Sequence, residues 1–346
     1  MKKITAIILS ATILISLCSC SLDTGPKRFS ETFIDLFDTA STLIAYDESQ
    51  TEFDAKYETF YGWLAELDKL YDIYNEYDGV VNLCTVNKLA AQAPVEVDES
   101  IIDLLEYGVK TYGDSGGKTN ICLGSVLRIW HSYRENGLNN PDTASLPDMA
   151  ELEEAAKHTD INSLVIDREN STVYFADSAL QLDVGAIAKG YAAKVVCERA
   201  KESLWQDFAL SLGGNVCTYG FKGDGKTEWS IGVENPDTAS DTALFNVSVS
   251  GKCIVTSGDY QRYYTVDGKN YCHIINPDTL MPSEYFAEVT VLCEDSALGD
   301  ALSTTLFNMP YEEGLALVES REGVEALWVD KDYNQSFSSG FEEYIN

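Results

Sequence analysis

The sequence predicts an α+β protein on three observations. Over residues 53–74 apolar side chains recur at threes and fours, with Tyr57, Phe60, Leu64, Leu67 and Tyr71 in one stripe, which is the period of an amphipathic helix. Residues 229–292 are instead strand-rich and are punctuated by turn pairs at Asn235-Pro236, Ser250-Gly251, Asp267-Gly268 and Asn276-Pro277. Helical and extended segments also mix without a regular βαβ rhythm. That favours mixed and antiparallel sheets with packed helices over a doubly wound parallel sheet.

Taken in order, residues 33–46 read as a strand broken at Phe37-Asp38-Thr39, hence an early hairpin. The helix over 53–74 gives way to a polar, irregular stretch over 74–87. A second helix covers 99–111 and stops at Gly113. Residues 115–123 are polar and Gly-rich, 124–131 are helical, 136–147 form a loop, and 148–157 make a short acidic helix. Two short strands, 164–166 and 172–175, flank a turn at Glu169-Asn170. A strand over 180–183 leads through a turn at Gly185 into a helix over 186–204. Residues 208–212 form a buried strand ending in Gly213-Gly214-Asn215. Helices over 296–308 and 312–319 and a strand over 326–329 close the chain. The Pro-Asp-Thr triplets at Pro141, Pro236 and Pro277 are turns, without the fixed period of a repeat architecture.

The N-terminus is a leader. Met1-Lys2-Lys3 is basic, residues 4–17 are uncharged and mostly apolar, and Leu17-Cys18-Ser19-Cys20 follows. The apolar run is too short to span a bilayer comfortably and fits a secretory signal. Leu17 three residues before Cys20, with a small Ser19 between, resembles the lipobox of bacterial lipoproteins; a plain signal peptide is the alternative. The expectation is removal of residues 1–19, a lipid on Cys20, a tether over 20–30, and one domain of two intimate lobes over 31–346 on the extracytoplasmic face.

The formal net charge of -32 excludes the basic footprint that nucleic-acid binding needs. It equally disfavours adhesion to anionic lipid by charge. An anionic ligand would have to be met by local cations or a metal. Seven cysteines lie beyond the leader, at 84, 122, 197, 217, 253, 272 and 293, without CxxC pairs or zinc-type spacing. They read as small core residues.

Four constellations carry chemistry. Asp183 precedes the turn at Gly185, and Lys189 lies in the helix that follows. A helix N-terminus beside a cation suits a phosphorylated ligand, although Asp in that place also serves as an N-cap. Asp300 and Thr304 are one helical turn apart and share a face. Their hard oxygens suit Mg²⁺, and their helical roles alone would also account for them. Ser257-Gly258-Asp259-Tyr260-Gln261-Arg262-Tyr263 offers a carboxylate and a guanidinium able to clamp phosphate, or else a surface ion pair. His273 is one of three histidines and is either a structural residue or a general base.

Five blocks occur in order: Leu-Asp-Val-Gly-Ala-Ile-Ala-Lys-Gly-Tyr at 182–191, Ser-Leu-Gly-Gly-Asn at 211–215, Thr-Ser-Gly-Asp-Tyr-Gln-Arg-Tyr at 256–263, His-Ile-Ile-Asn-Pro at 273–277 and Asp-Ala-Leu-Ser-Thr at 300–304. Together they resemble the signature of the ApbE family, the FAD:protein FMN transferases. The resemblance implies an ApbE-like fold with FAD in a crevice between the lobes. It implies Mg²⁺-dependent cleavage of FAD, transfer of FMN to a Thr or Ser hydroxyl of a target flavoprotein bearing an Asp-Gly-Ala-Thr/Ser-like motif, and release of AMP. Carried over residue by residue, Asp300, Thr304 and the carbonyl of Ala186 would hold the metal. Asp183, Lys189, Tyr74, Cys272 and the Lys118-Thr119-Asn120 loop would touch the flavin nucleotide. His273 would be the base, with Asp259 and Arg262 in support. Phe37-Asp38-Thr39, Asn120 and Asn276 depart from the family's usual residues. The alternatives are a lipoprotein that binds or hydrolyses FAD without a protein acceptor, and a solute-binding lipoprotein.

Overall fold

The chain enters its main sheet through a hairpin. The computed structural model describes residues 25–240 and 242–346, so the leader and Cys20 lie outside the described residues. Strand β1 (Lys27–Leu36) pairs antiparallel with β2 (Thr39–Asp47), and the turn between them is Phe37-Asp38, at φ 54° and 50°. Two central residues of positive φ give the turn a twist that matches the strands. Asp68 Oδ1 holds the Phe37 amide at 2.8 Å.

Helix α1 (Gln50–Tyr71) is capped by Ser49 and buries Phe53, Phe60, Leu64 and Leu67. Each such side chain contributes about 1.5–3 kcal/mol when fully removed from water. Residues 74–82 are irregular as expected, and helix α2 (Leu83–Leu89) takes over the end of that stretch. At seven residues it is too short to show a period, and Asn82 fixes its start by accepting from Thr85 N. Strand β3 (Val95–Glu96) and helix α3 (Glu99–Asp114) follow. Helix α4 (Gly124–Asn139) runs into the segment expected as loop, and Asp148 caps α5 (Met149–Ala156). Strands β4 (Leu164–Asp167) and β5 (Thr172–Phe175) join β3 in a small sheet.

Residues 180–183 do not form the expected strand. One parallel bridge, Leu123 to Gln181, is all that forms. The Asn87 side chain mimics a neighbouring strand instead, accepting from Leu182 N at 2.7 Å and donating to Leu182 O at 3.0 Å. Helix α6 (Ala188–Ser203) begins just beyond.

Strands β6 (Phe208–Leu212) and β7 (Asn215–Tyr219) turn on Gly213-Gly214, at φ 55° and 91°. Hairpin β8 (Trp229–Val233) and β9 (Phe245–Val249) precedes β10 (Cys253–Gly258). A second hairpin joins β11 (Tyr263–Val266) to β12 (Lys269–Cys272). Then come β13 (Glu288–Cys293), α7 (Ser296–Phe307), α8 (Tyr311–Glu319), β14 (Glu325–Val329) and β15 (Gln335–Phe337). The last strand is three residues long and escaped the sequence pattern.

The main sheet has eight strands in the order β1-β2-β6-β7-β10-β13-β14-β15, antiparallel throughout. Both faces are covered, so β13 is buried at every position. Val289, Val291 and Cys293 pack beside Leu302 and Phe307 of α7, while Leu292 faces Trp229 and Val247 of the β8–β9 hairpin. A separate apolar cluster ties α4, α5 and the β11–β12 hairpin together through Trp130, Leu152, Tyr264 and Val266. Between that module and the α6–α7 side of the sheet lies the principal cavity.

Candidate functional site

Helices α6 and α7 touch at Gly190. A Cβ there would come within 2.3 Å of Asp300 Cβ and 2.4 Å of Ser296 O, so only glycine permits the approach. Asp300 Oδ2 accepts the Gly190 amide at 2.7 Å. In an uninterrupted helix that amide would bond the carbonyl four residues back, at Ala186. Here α6 begins at Ala188 with no side-chain cap, and the Ala186 carbonyl receives no N–H among the described backbone bonds. Thr304 lies one turn beyond Asp300 and lines the same cavity.

Asp300 is 5% exposed. Burial raises its pKa, opposed by the Lys189 cation, the Gly190 N–H and nearby Asn215. Asn215 is buried, and its Nδ2 has no hydrogen-bond partner among the described residues; it sits close enough to favour the Asp300 anion without bonding to it. A buried donor left unpaired costs about 1–3 kcal/mol, so this corner is built for a group that would satisfy it. No cluster of three or more His, Cys, Asp or Glu side chains suited to a metal occurs among the described residues.

The cavity measures about 290 Å³. The tips of two hairpins, at Asp38-Thr39 and Gly213, form one wall, and Trp130, His131 and Arg134 of α4 form another. Lys189 and Arg262 line it and make no ion pair among the described residues. Arg262 instead donates to Asp38 O at 2.8 Å. These cations answer the electrostatic demand of a strongly acidic chain. Tyr74 stacks on His131 at 5.0 Å and 29°, and burial first, then Asp183, pushes its pKa up to about 12.

His273 follows β12 directly. Its backbone N donates to Arg262 O at 3.0 Å, and Nδ1 lies 3.2 Å from the same carbonyl. A carbonyl only accepts, so Nδ1 carries the proton and Nε2 keeps its lone pair. The ring opens onto pocket solvent while protein surrounds it. That desolvation, together with Arg262, Lys189 and Arg134, holds the pKa below its usual 6.5, so the imidazole is neutral near pH 7.

The other residues singled out from sequence sit as follows. Asp183 lines the cavity but does not cap α6. Its Oδ1 accepts from Gly185 N at 2.9 Å, and burial raises its pKa. Lys118 is paired with Asp278 at the cavity edge. Thr119 turns its hydroxyl away to Thr305, at 2.8 Å. Asn120 uses its amide internally, accepting from Cys122 N and donating to Thr159 O, both at 2.9 Å. Cys272 lines the cavity with a buried thiol whose pKa burial pushes up to about 11. Asp259 does not reach the principal cavity. It pairs with Lys331 at 2.5 Å and faces a second cavity behind Cys272. All seven cysteines among the described residues are free and buried, as core residues should be. Sequence reasoning passed over Asp38, Arg134 and Asn215 as site residues. Asn215 ends one of the five quoted blocks, whereas Arg134 carries no signal beyond a polar position on a helix.

The comparisons bear on this geometry. The model of the ApbE family matches residues 37–328. The FAD:protein FMN transferase of Treponema pallidum is 31% identical over 301 residues, covering 81% of this chain and 81% of that one. That of Klebsiella pneumoniae is 29% identical over 255 residues, 73% of this chain and 76% of its own. The ApbE protein of Thermotoga maritima superposes with a TM-score of 0.80 at 26% identity, over 92% of this chain and 100% of that one. The apo flavinyl transferase ApbE of Pseudomonas stutzeri gives 0.76 at 26% identity, over 93% and 98%. A five-block motif, an antiparallel α+β architecture and a matching family model converge, and the chain belongs to the ApbE family.

Proposed function

We propose that this flavin transferase cleaves the pyrophosphate of FAD and joins the FMN half to a Thr or Ser hydroxyl of a target protein, releasing AMP. The observation that carries the reading is the α6–α7 junction. Asp300 takes the Gly190 amide and leaves the Ala186 carbonyl without a backbone donor among the described residues, in a cavity that the Asp300 carboxylate and the Thr304 hydroxyl also line. A few hard oxygens suit Mg²⁺, which keeps the rest of its shell for water and phosphate, and Ala186, Asp300 and Thr304 are the residues that would hold it. When bound, the ion would supply charge neutralisation to the pyrophosphate.

The chain's own groups do the rest. Lys189, Arg262 and Arg134 bring positive charge to the phosphates, which is what phosphoryl transfer needs most. Asp183, Tyr74, Cys272 and Lys118 would hold the nucleotide around them, while the Thr119 and Asn120 side chains are engaged with Thr305, Cys122 and Thr159. His273 Nε2 takes the proton of the acceptor hydroxyl. The acceptor oxygen bonds to the FMN phosphorus as that phosphorus parts from the bridging oxygen, and AMP leaves with the electron pair. Asp259, locked to Lys331, braces the segment that carries Arg262.

Purified protein incubated with FAD, MgCl₂ and a flavoprotein subunit bearing an Asp-Gly-Ala-Thr segment should give a fluorescent acceptor band on a denaturing gel. AMP release that ignores the acceptor, with no labelled band, would replace transfer by FAD hydrolysis. The same reading places the enzyme on the extracytoplasmic face, held by a lipid on Cys20. Cys20→Ser should move it from the membrane fraction to the soluble one, and its retention in the membrane would refute the anchor.

A further inference from the structure

A second cavity, of about 350 Å³, lies on the far side of Cys272 from the first. All four residues of β12 line it: Lys269, Asn270, Tyr271 and Cys272. Cys272 lines both cavities, and His273 is the next residue in the chain. The opposite wall is the segment 282–284, which meets the chain at Ile274 through Ser283 N to Ile274 O, 2.9 Å. Beyond that bond the two segments part. The Lys269–Glu284 ion pair spans the gap at one end, and Lys331–Asp259 lies along it.

The hydrogen-bond phase of the hairpin makes this gap specific. Tyr263 pairs with Cys272 and Tyr264 with Tyr271, while His273 N donates to Arg262 O. In an antiparallel ladder that bond marks Tyr263–Cys272 as a non-hydrogen-bonded pair. The backbone groups of Tyr271 and Lys269 therefore point to β11, and those of Asn270 and Cys272 point the other way. Among the described residues β12 pairs with β11 alone, and its outward N–H and C=O groups border the second cavity. An unpaired strand edge is a template for another strand.

We infer that the free edge of β12 receives an extended segment of the acceptor protein, which pairs with Asn270 and Cys272 and so brings its hydroxyl residue to His273. This rests on the flavin-transfer reading. The occupant follows from continuity: the edge ends at His273, and the hydroxyl that His273 would deprotonate has to arrive on a chain from outside. Strand addition supplies affinity through main-chain bonds and tolerates varied side chains, which suits an enzyme that recognises a short segment rather than a whole domain. The alternation of an added strand turns every second side chain to one face of the hairpin. A hydroxyl in register with the end of β12 is thereby separated from its neighbours.

The test uses the full protein with FAD, MgCl₂ and the same flavoprotein subunit as probe. Hydrogen exchange should slow at the Asn270 and Cys272 amides when the subunit is added. Asn270→Pro deletes an outward N–H that the ladder does not use, a position proline tolerates on an edge strand. The variant should raise the KM for the subunit about tenfold or more, with FAD affinity and thermal midpoint at wild-type values. Transfer by the wild type without protection at these two amides would overturn the edge site and leave the transfer reading standing, and so would an unchanged KM in a folded Asn270→Pro. Should Asn270→Pro fail to fold, the exchange result on wild type decides alone. Absence of any transfer by the wild type would overturn the transfer reading and the edge site with it.

Discussion

The main-chain N–H of Gly190 donates to the carboxylate of Asp300 at 2.7 Å, although the two residues lie 110 positions apart. One bond does three things. It ties α6 to α7 where their backbones come closest, it gives a buried anion a fixed donor, and it leaves the Ala186 carbonyl without its helical partner.

Gly190→Ala tests the first of these. The added methyl would meet Asp300 Cβ and Ser296 O well inside contact distance, and neither backbone nor Cβ can swing aside. Overpacking of this kind costs about 1–3 kcal/mol. The urea midpoint should fall accordingly and flavin transfer with it. A variant with wild-type midpoint and activity would contradict the close approach.

Asp300→Asn separates charge from shape. The amide oxygen can still accept from Gly190, so the helices should stay together. Burial disfavours the Asp300 anion, so the neutral variant should be at least as stable as wild type at pH 7 in the absence of metal. Transfer should nonetheless drop on the order of 100-fold or more, the scale seen when an electrostatic group is removed from a reaction centre. Retained transfer would remove Asp300 from the proposed metal site.

His273→Ala should lower kcat by about 10²–10⁴, the usual contribution of a general base. FAD affinity should change little, because the ring is held by the Arg262 carbonyl and not by the cations that line the cavity. A large loss of FAD affinity with kcat preserved would make His273 a ligand contact instead.

Glu288 offers a stability test outside the cavity lining. It is fully buried on β13, accepting from the Tyr260 hydroxyl at 3.1 Å and from Thr290 at 3.0 Å. Burial raises its pKa from 4.5 to about 7, against those two hydrogen bonds. The folded state thus holds a proton that the unfolded state has lost across that window, and stability declines as pH climbs from 4.5 toward 7. The full effect is on the order of 3 kcal/mol. Glu288→Gln should therefore raise the thermal midpoint at pH 8 and leave it unchanged near pH 4. Equal midpoint differences at both pH values would refute the shift.

Much of the fold was legible because its signals are local. The stripe through Phe60, Leu64 and Leu67 marks α1, the Gly213-Gly214 pair marks the β6–β7 turn, and Asp148 marks the start of α5. The misses share a cause. Helix α2 and strand β15 are too short for a period to register, and α4 outran its apolar stripe because its last turns are polar. The segment before Asp183 looked like a strand, yet it makes a single bridge: the backbone of Gly124 and Ile121 bonds Gln181 and Asp183 on one side, and the Asn87 side chain satisfies Leu182 on the other.

By itself the sequence determined the architecture class, the five blocks, and the candidate carboxylates, hydroxyl and imidazole, because each of these is a property of residue type and short spacing. Tertiary structure alone decided which of them meet. It turned the Thr119 hydroxyl and the Asn120 amide inward, sent Asp259 to Lys331 and a second cavity, and brought in Arg134 and Asn215. It also freed the Ala186 carbonyl. No side chain announces a carbonyl, and whether it is free depends on where a glycine 110 residues from its partner finds its hydrogen bond.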